Sequence, residues 1–481
     1  MKRVLFVTSE AVPYMKTGGL ADVAGQLPRY FNREEYDVRV ILPKYACMDE
    51  KFLPDLEFVC HFYVDLNWRR QYAGIYTAVY NGVTYYFVDN EFYFAGNQPY
   101  NNIYEDVEKF AFFSKAVVQC LPYIDFAPHV IHCHDWQTGL VPVFLKTSFG
   151  WDAYYYGIRT VFTIHNLKFQ GRWKLQEVMD VTGLPAQIFN DRELEAYGEA
   201  NYLKGGVVYA DAVTTVSPTY AREIRTQEGG EGLDGLLNAR SNVLSGILNG
   251  LDYREYDPET DPYIHTNYNL RKVISGKKAN KAALQKEMGL SVSSGTFLLG
   301  MVSRMTDQKG FSLVTAILEE LLGSMDVQLV VLGTGEKQYE DSFYYFQGRY
   351  PDRVAAKIGY SDELAHKIYA SCDAFAMPSM FEPCGLSQMM AMRYGTVPIV
   401  RETGGLKDTV EPYNEYEGTG TGFSFANYQA QELLATIRYA RNVYSTDVNA
   451  WRGIIRRAMQ QDYSWDASAR AYERLYDQLC D

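Results

Sequence analysis

Several short stretches carry residue types able to handle a phosphate or a sugar. Lys16-Thr17-Gly18-Gly19-Leu20 follows the apolar run Val4–Val7 and leads into a helical pattern. Two glycines let backbone N–H groups approach an anion, a helix N-terminus adds partial positive charge, and Lys16 adds a full one. The same residues also suit a plain tight turn with a solvated lysine. They are not a Walker loop, because the lysine precedes the glycines. Arg304 closes another strand-like run and Gln308-Lys309-Gly310 opens the next helix. Two cations at a strand's C-terminal edge fit a diphosphate, and the plainer alternative is a pair of surface charges. Glu382-Pro383-Cys384-Gly385-Leu386 fixes a carboxylate ahead of a helix, where it can accept hydrogen bonds from sugar hydroxyls. Cys384 has no histidine at an activating spacing, so its thiol reads as packing.

Two histidine-bearing segments end strand-like runs. In His132-Cys133-His134-Asp135-Trp136, strand alternation puts both imidazoles on one face, but no further metal ligands are signalled nearby. Polar lining beside a sugar suits the segment better than a metal. Thr163-Ile164-His165-Asn166 sits likewise at a strand end, where the imidazole or its carbonyl could face a reacting carbon, although a lone histidine usually packs.

These residues need a scaffold that brings strand ends together. Apolar runs at Val4–Ser9, Val38–Leu42, Val130–His134, Thr160–His165 and Val213–Ser217 alternate with helical stretches, as in a parallel sheet. Two alternating runs over Gly74–Asp89 flank Asn81-Gly82 and predict a hairpin. After a polar stretch around Leu251–Lys278 the alternation resumes at Phe297–Ser303, Val327–Leu332, Val354–Ile358, Ala374–Pro378 and Val397–Val400. The predicted fold is α/β: two doubly wound, Rossmann-like domains over 1–250 and 251–455, facing across a cleft, followed by an amphipathic helical tail in 456–481.

Composition narrows the function. The chain has 481 residues, 46 Lys+Arg against 59 Asp+Glu, a net charge of −13, and 47% hydrophobic residues. An acidic chain offers no broad footing for nucleic acid or an anionic membrane. The apolar start is too short for a signal peptide or a membrane span. Seven scattered cysteines without zinc-ligand spacing fit reduced thiols in a cytoplasmic protein. Nothing in the composition sets an oligomeric state.

Taken in order, KTGGLADV, HCHDWQTGL, TIHNLKFQG, SRMTDQKG, FEPCGL and RETGGLKDTV resemble the bacterial glycogen synthase and plant starch synthase family over nearly the whole chain. The resemblance implies a glycosyltransferase-B fold, in which the C-terminal helix within 456–481 crosses back to the first domain. It also implies transfer of glucose from ADP-glucose to the non-reducing end of an α-1,4-glucan such as glycogen, with retention of configuration and without a metal or pyridoxal phosphate. By the same resemblance, Lys16, Gly18 and Gly19 contact the donor diphosphate region, Arg304 and Lys309 neutralise its phosphates, and Glu382 with the backbone of Cys384, Gly385 and Leu386 cradles sugar and phosphate. His165 and Asn166 match a glucose-facing position, Asp135 the aspartate of the HDW segment, and Tyr360 of IGYSDELAH an adenine-stacking tyrosine. Thr403, Gly404 and Gly405 line the phosphate side, and Tyr100 lies near the sugar. Lys16, His165, Arg304, Lys309 and Glu382 form the expected catalytic set. Gln137 and the segment Glu105–Phe110 depart from the family pattern, which bears on acceptor contacts. The rivals are a UDP-glucose transferase with a small acceptor, a phosphorylase, and a sugar-binding module without turnover.

Overall fold

The computed structural model describes residues 1–481. It divides into two compact units, Met1–Gly250 with Trp465–Asp481, and Leu251–Ser464. The division after Gly250 is where the sequence placed it, but the second boundary is not. Residues 456–464 stay with the second unit. The helix Val448–Met459 buries Trp451 and Ile455, and Trp451 packs against Phe297 and Phe423 of that unit. The returning helix begins only at Trp465.

The first unit holds a nine-stranded sheet. Its strands are β1 (Lys2–Val7), β2 (Tyr36–Pro43), β3 (Glu57–Leu66), β4 (Arg69–Tyr80), β5 (Val83–Asp89), β6 (Val130–His134) and β7 (Arg159–Ile164), continued after a small three-stranded sheet, β8 (Arg172–Lys174), β9 (Glu195–Ala196) and β10 (Glu199–Asn201), by β11 (Ala212–Thr215) and β12 (Leu244–Gly246). The order is β12-β11-β7-β6-β1-β2-β5-β4-β3, parallel from β12 to β5 and antiparallel beyond. Val4–Val7 are fully buried because helices cover both faces of the central strands. Asn81 and Gly82 turn the β4–β5 hairpin with φ of 50° and 75°, as the dipeptide predicts.

The second unit holds β13 (Phe297–Val302), β14 (Val327–Gly333), β15 (Val354–Ile358), β16 (Ala374–Met377), β17 (Val397–Arg401) and β18 (Phe423–Phe425), all parallel, in the order β15-β14-β13-β16-β17-β18. Each sheet has a central strand from which the chain first works outward on one side and then returns to build the other. Ligands in such sheets bind at that reversal, outside the strands' carboxyl ends. The reversal falls at β1/β6 in the first unit and at β13/β16 in the second.

The C-terminal helix Trp465–Cys480 closes the core of the first unit. Trp465, Tyr472 and Tyr476 are buried, the Trp465 indole N–H donates to Gln26 Oε1 at 2.7 Å, and Tyr476 Oη meets His132 Nδ1 at 2.7 Å.

Candidate active site

At the first unit's reversal, β1 runs into Glu10 and then into the loop before the helix Gly19–Gln26, whose cap is Gly18. The loop N–H groups expected to meet an anion meet one from the chain itself. Glu10, 3% exposed, accepts from the N–H of Thr17, from Thr17 Oγ1 at 2.8 Å and from the N–H of Gly18. Burial raises its pKa despite these donors. Lys16 is half exposed and pairs with Asp22 at 2.8 Å. Tyr100 leans over the same corner, with its hydroxyl 2.7 Å from Ser9 Oγ. The loop carrying Tyr100 is braced by the Asp106–Lys109 pair: Asp106 accepts from the N–H of Asn101, Lys109 donates to the Pro99 carbonyl at 2.9 Å, and the two charges meet at 2.7 Å. Both lie in the segment that departs from the family pattern.

Across the reversal, Asp135 follows β6 at φ 57°, ψ 179°, a region that side-chain-bearing residues rarely occupy. The carboxylate explains why it is held there. Its Oδ1 accepts the His165 N–H at 2.7 Å, and it accepts the Asn166 N–H as well, tying the end of β6 to the end of β7. Burial pushes its pKa up to about 7, with the nearby charge of Glu10 adding to the shift. His165 Nε2 lies 3.0 Å from His134 Nδ1, and burial drives the His165 imidazole down to about 3, so it is neutral at ordinary pH. His132 and His134 stack at 4.2 Å on one strand face, as alternation predicts. Both His132 nitrogens are taken, by Tyr476 and by Thr163 Oγ1 at 2.6 Å, so that imidazole has no ligand atom to offer a metal. Next to this corner, Trp136, Phe169 and Gly171 line a pocket of about 290 Å³.

At the second unit's reversal, β13 leads to Arg304, exposed, and to the short turn Asp307–Lys309. Gly310 follows at φ 78°, where a Cβ would stand 2.1 Å from the Pro378 carbonyl oxygen; only glycine lets the β13 loop lie against the end of β16. That contact brings together residues far apart in sequence. Lys309 Nζ binds both oxygens of Glu382, at 2.9 and 2.6 Å, and Ser379 Oγ donates to Glu382 at 3.0 Å. The pair is largely buried, with side-chain exposures of 18% and 7%. Gly404, at φ 44°, packs so closely under Glu382 that a Cβ would lie 1.9 Å from its carbonyl oxygen, and the Gly405 N–H donates to that oxygen at 3.1 Å. In this structure Thr403, Gly404 and Gly405 therefore support the Glu382–Cys384 turn. Cys384 is buried, and Gln388 donates to the Cys384 and Gly385 carbonyls just ahead of the short helix capped by Leu386. Tyr360 is 83% exposed, presenting an open aromatic face, and its hydroxyl donates to Asp362 at 3.2 Å.

Each unit thus gathers its candidate residues at its own reversal, while Tyr360 stands past the end of the edge strand β15, two strands from β13. Glu10, Asp106 and Lys109 are the additions that sequence reasoning did not select. Position alone pointed to Glu10, since it stands directly at the end of β1.

The chain is similar to known proteins over its whole length. Residues 3–239 match the starch synthase catalytic domain family and residues 286–446 the family of glycosyl transferases group 1. The chain is 60% identical to a glycogen synthase of Lachnospira eligens and 56% identical to one of Lachnoclostridium phytofermentans, in each case over 100% of both chains. Among solved structures, the catalytic domain of starch synthase IV from Arabidopsis thaliana, bound to ADP and acarbose, superposes with a TM-score of 0.89 at 34% identity, covering 100% of this chain and 99% of that one. Sucrose-phosphate synthase from Thermosynechococcus elongatus shares the fold at a TM-score of 0.62 and 17% identity. At these identities over its full length, the chain belongs to the glycogen and starch synthase family of glycosyltransferases, with their glycosyltransferase-B fold.

Proposed function

We propose that this enzyme is a glycogen synthase that moves glucose from ADP-glucose to the non-reducing end of an α-1,4-glucan, with retention of configuration and without a metal or other cofactor, in the cytoplasm. The observation that carries the reading is the buried Lys309–Glu382 pair at the β13/β16 reversal, with Arg304 exposed on the same loop. Breaking the glucose–phosphate bond develops negative charge on the leaving phosphate. Preorganised cations favour that state over the ground state without reorganising. Glu382, held by Lys309 and Ser379, is an acceptor fixed in place for sugar hydroxyls.

Retention can proceed through a glucosyl-enzyme or by attack on the same face as the departing phosphate. The carboxyls favour the second route. Glu382 is engaged by two donors, and Asp135 is held by two backbone N–H groups that tie down its carboxylate oxygens and weaken it as a nucleophile. A neutral His165 can hydrogen-bond to a sugar but adds no charge. The relatives' shared name and the ADP in the Arabidopsis starch synthase structure support the donor and acceptor classes.

Parallel incubations of glycogen with ADP-glucose and UDP-glucose test the donor, and proton NMR of the first-formed linkage tests stereochemistry. ADP release alone with an α-linkage is expected. Release of UDP alone would overturn the donor assignment, and a trapped glucosyl-enzyme adduct the same-face route.

A further inference from the structure

A second candidate site lies in the second unit, on the helix Asp362–Ser371 that follows Tyr360. Asp362 and His366 stand four residues apart on one helical face, and the loop after Leu251 brings Glu255 to them. The ligand atoms these three side chains can offer lie within 4.8 Å of one another.

The histidine separates this cluster from an ordinary acidic patch. His366 is 1% exposed, and its Nδ1 lies 2.8 Å from Asp261 Oδ2, a buried carboxylate that also accepts from the Tyr394 hydroxyl. Tyr256 stacks on the imidazole at 4.8 Å and Tyr263 meets its edge at 5.1 Å, so the ring cannot turn. Asp261 therefore fixes the tautomer with the proton on Nδ1. Nε2 is the nitrogen that Asp261 leaves over, buried and without a hydrogen-bond partner. A carboxylate holding one imidazole nitrogen so that the other faces outward is the usual support of a metal-bound histidine. An acid in a helix's first turn is commonly explained by the helix dipole. That accounts for Asp362 but not for Glu255 or the orphaned nitrogen.

We propose that Glu255, Asp362 and His366 Nε2 bind one divalent first-row transition ion of the zinc class, with water completing its shell. One imidazole and two carboxylates suit such an ion, and their two negative charges neutralise it. Tetrahedral ligation needs ligand atoms about 3.4 Å apart. Glu255 and Asp362 are both exposed, and closing the difference takes rotation about their side-chain bonds at the cost of their present contacts, among them the Tyr360 hydroxyl on Asp362. The ion would pin the 252–261 segment to the helix that follows Tyr360. Its role is structural and separate from glucosyl transfer, so it does not depend on the donor or acceptor proposed above.

Untagged, metal-free full-length protein titrated with Co²⁺ should show one equivalent bound, with a visible absorption band that Zn²⁺ abolishes. Zn²⁺ should also raise Tm. In the double variant Glu255→Gln, Asp362→Asn, affinity should fall at least tenfold while the metal-free protein stays folded by circular dichroism. Glu255→Gln alone provides the milder case should the double variant be unstable. Absence of stoichiometric binding at micromolar metal would overturn the proposal. So would binding unchanged in the variants, or a thiolate charge-transfer band assigning the ion to cysteine.

Discussion

The two reversals share a topology and differ in how they treat charge. At β1/β6 the chain collects acids: Glu10 and Asp135 are both buried and both raised in pKa, His165 is neutral, and the cation of the motif, Lys16, is half exposed and paired with Asp22. At β13/β16 a lysine and a glutamate are buried together in two-point contact. The first corner therefore offers buried hydrogen-bonding groups and no buried cation at the motif, suited to the hydroxyls of a sugar. The second holds a fixed cation suited to phosphate. Similar folding rules made both corners, and the residues placed on them give each its own chemistry.

The sharpest way to break this comparison is at the buried pair. Lys309→Ala should lower kcat by about 10³-fold, near the upper end for losing one charge-stabilising group. It should also cost about 3 kcal/mol of stability, because Glu382 is left buried without its partner. Glu382→Gln should lose comparable activity with a smaller stability cost, since Ser379 still has an acceptor. Lys16→Ala should lower kcat by about 10²-fold yet change stability by less than about 0.5 kcal/mol, as expected for an exposed side chain. A Lys16 variant as destabilised as Lys309→Ala would erase the distinction between the corners.

Tyr360→Ala should raise the KM for the nucleotide donor about tenfold with little change in kcat, the usual worth of one aromatic stack on a base. The acidic corner has a pH signature as well. Asp135 keeps its proton up to about pH 7 when folded but loses it near the ordinary carboxylate value when unfolded. The folded chain then binds more protons across that window, so stability should fall as pH rises from about 4 to 7. Urea melts of wild type and Asp135→Asn across this range should show a shallower slope in the variant, with the remaining dependence belonging partly to Glu10.

Much of the scaffold was legible because the central strands are buried on both faces and read as continuous apolar runs. Val130–His134 and Val354–Ile358 match their strands residue for residue. The edge strand β3 was missed, since Glu57–Val59 and every second residue from His61 to Asp65 face solvent and dilute the apolar signal. The short strands β8, β9 and β10 have too few residues to show a period. The domain boundary slipped because Val448–Met459 is as amphipathic as the helix that follows it, and only packing assigns each to its unit. Within the site, the motifs located Lys16, Arg304, Lys309 and Glu382, but not that Lys309 and Glu382 pair, since a contact 73 residues apart depends on the close approach at Gly310. Glu10 belonged to no motif, and its role appears only when the Thr17 and Gly18 N–H groups are seen to point at it. Asp106 and Lys109 looked like a departure from the family pattern and prove to brace the Tyr100 loop.

The most direct test is glycogen-dependent release of ADP from ADP-glucose by wild type and by Lys309→Ala, assayed at a temperature where circular dichroism shows both folded. The account predicts steady release by wild type, none without glycogen, and a rate at least 100-fold lower in the variant. Release by the folded variant at close to the wild-type rate, or no glycogen-dependent release by wild type, would contradict it.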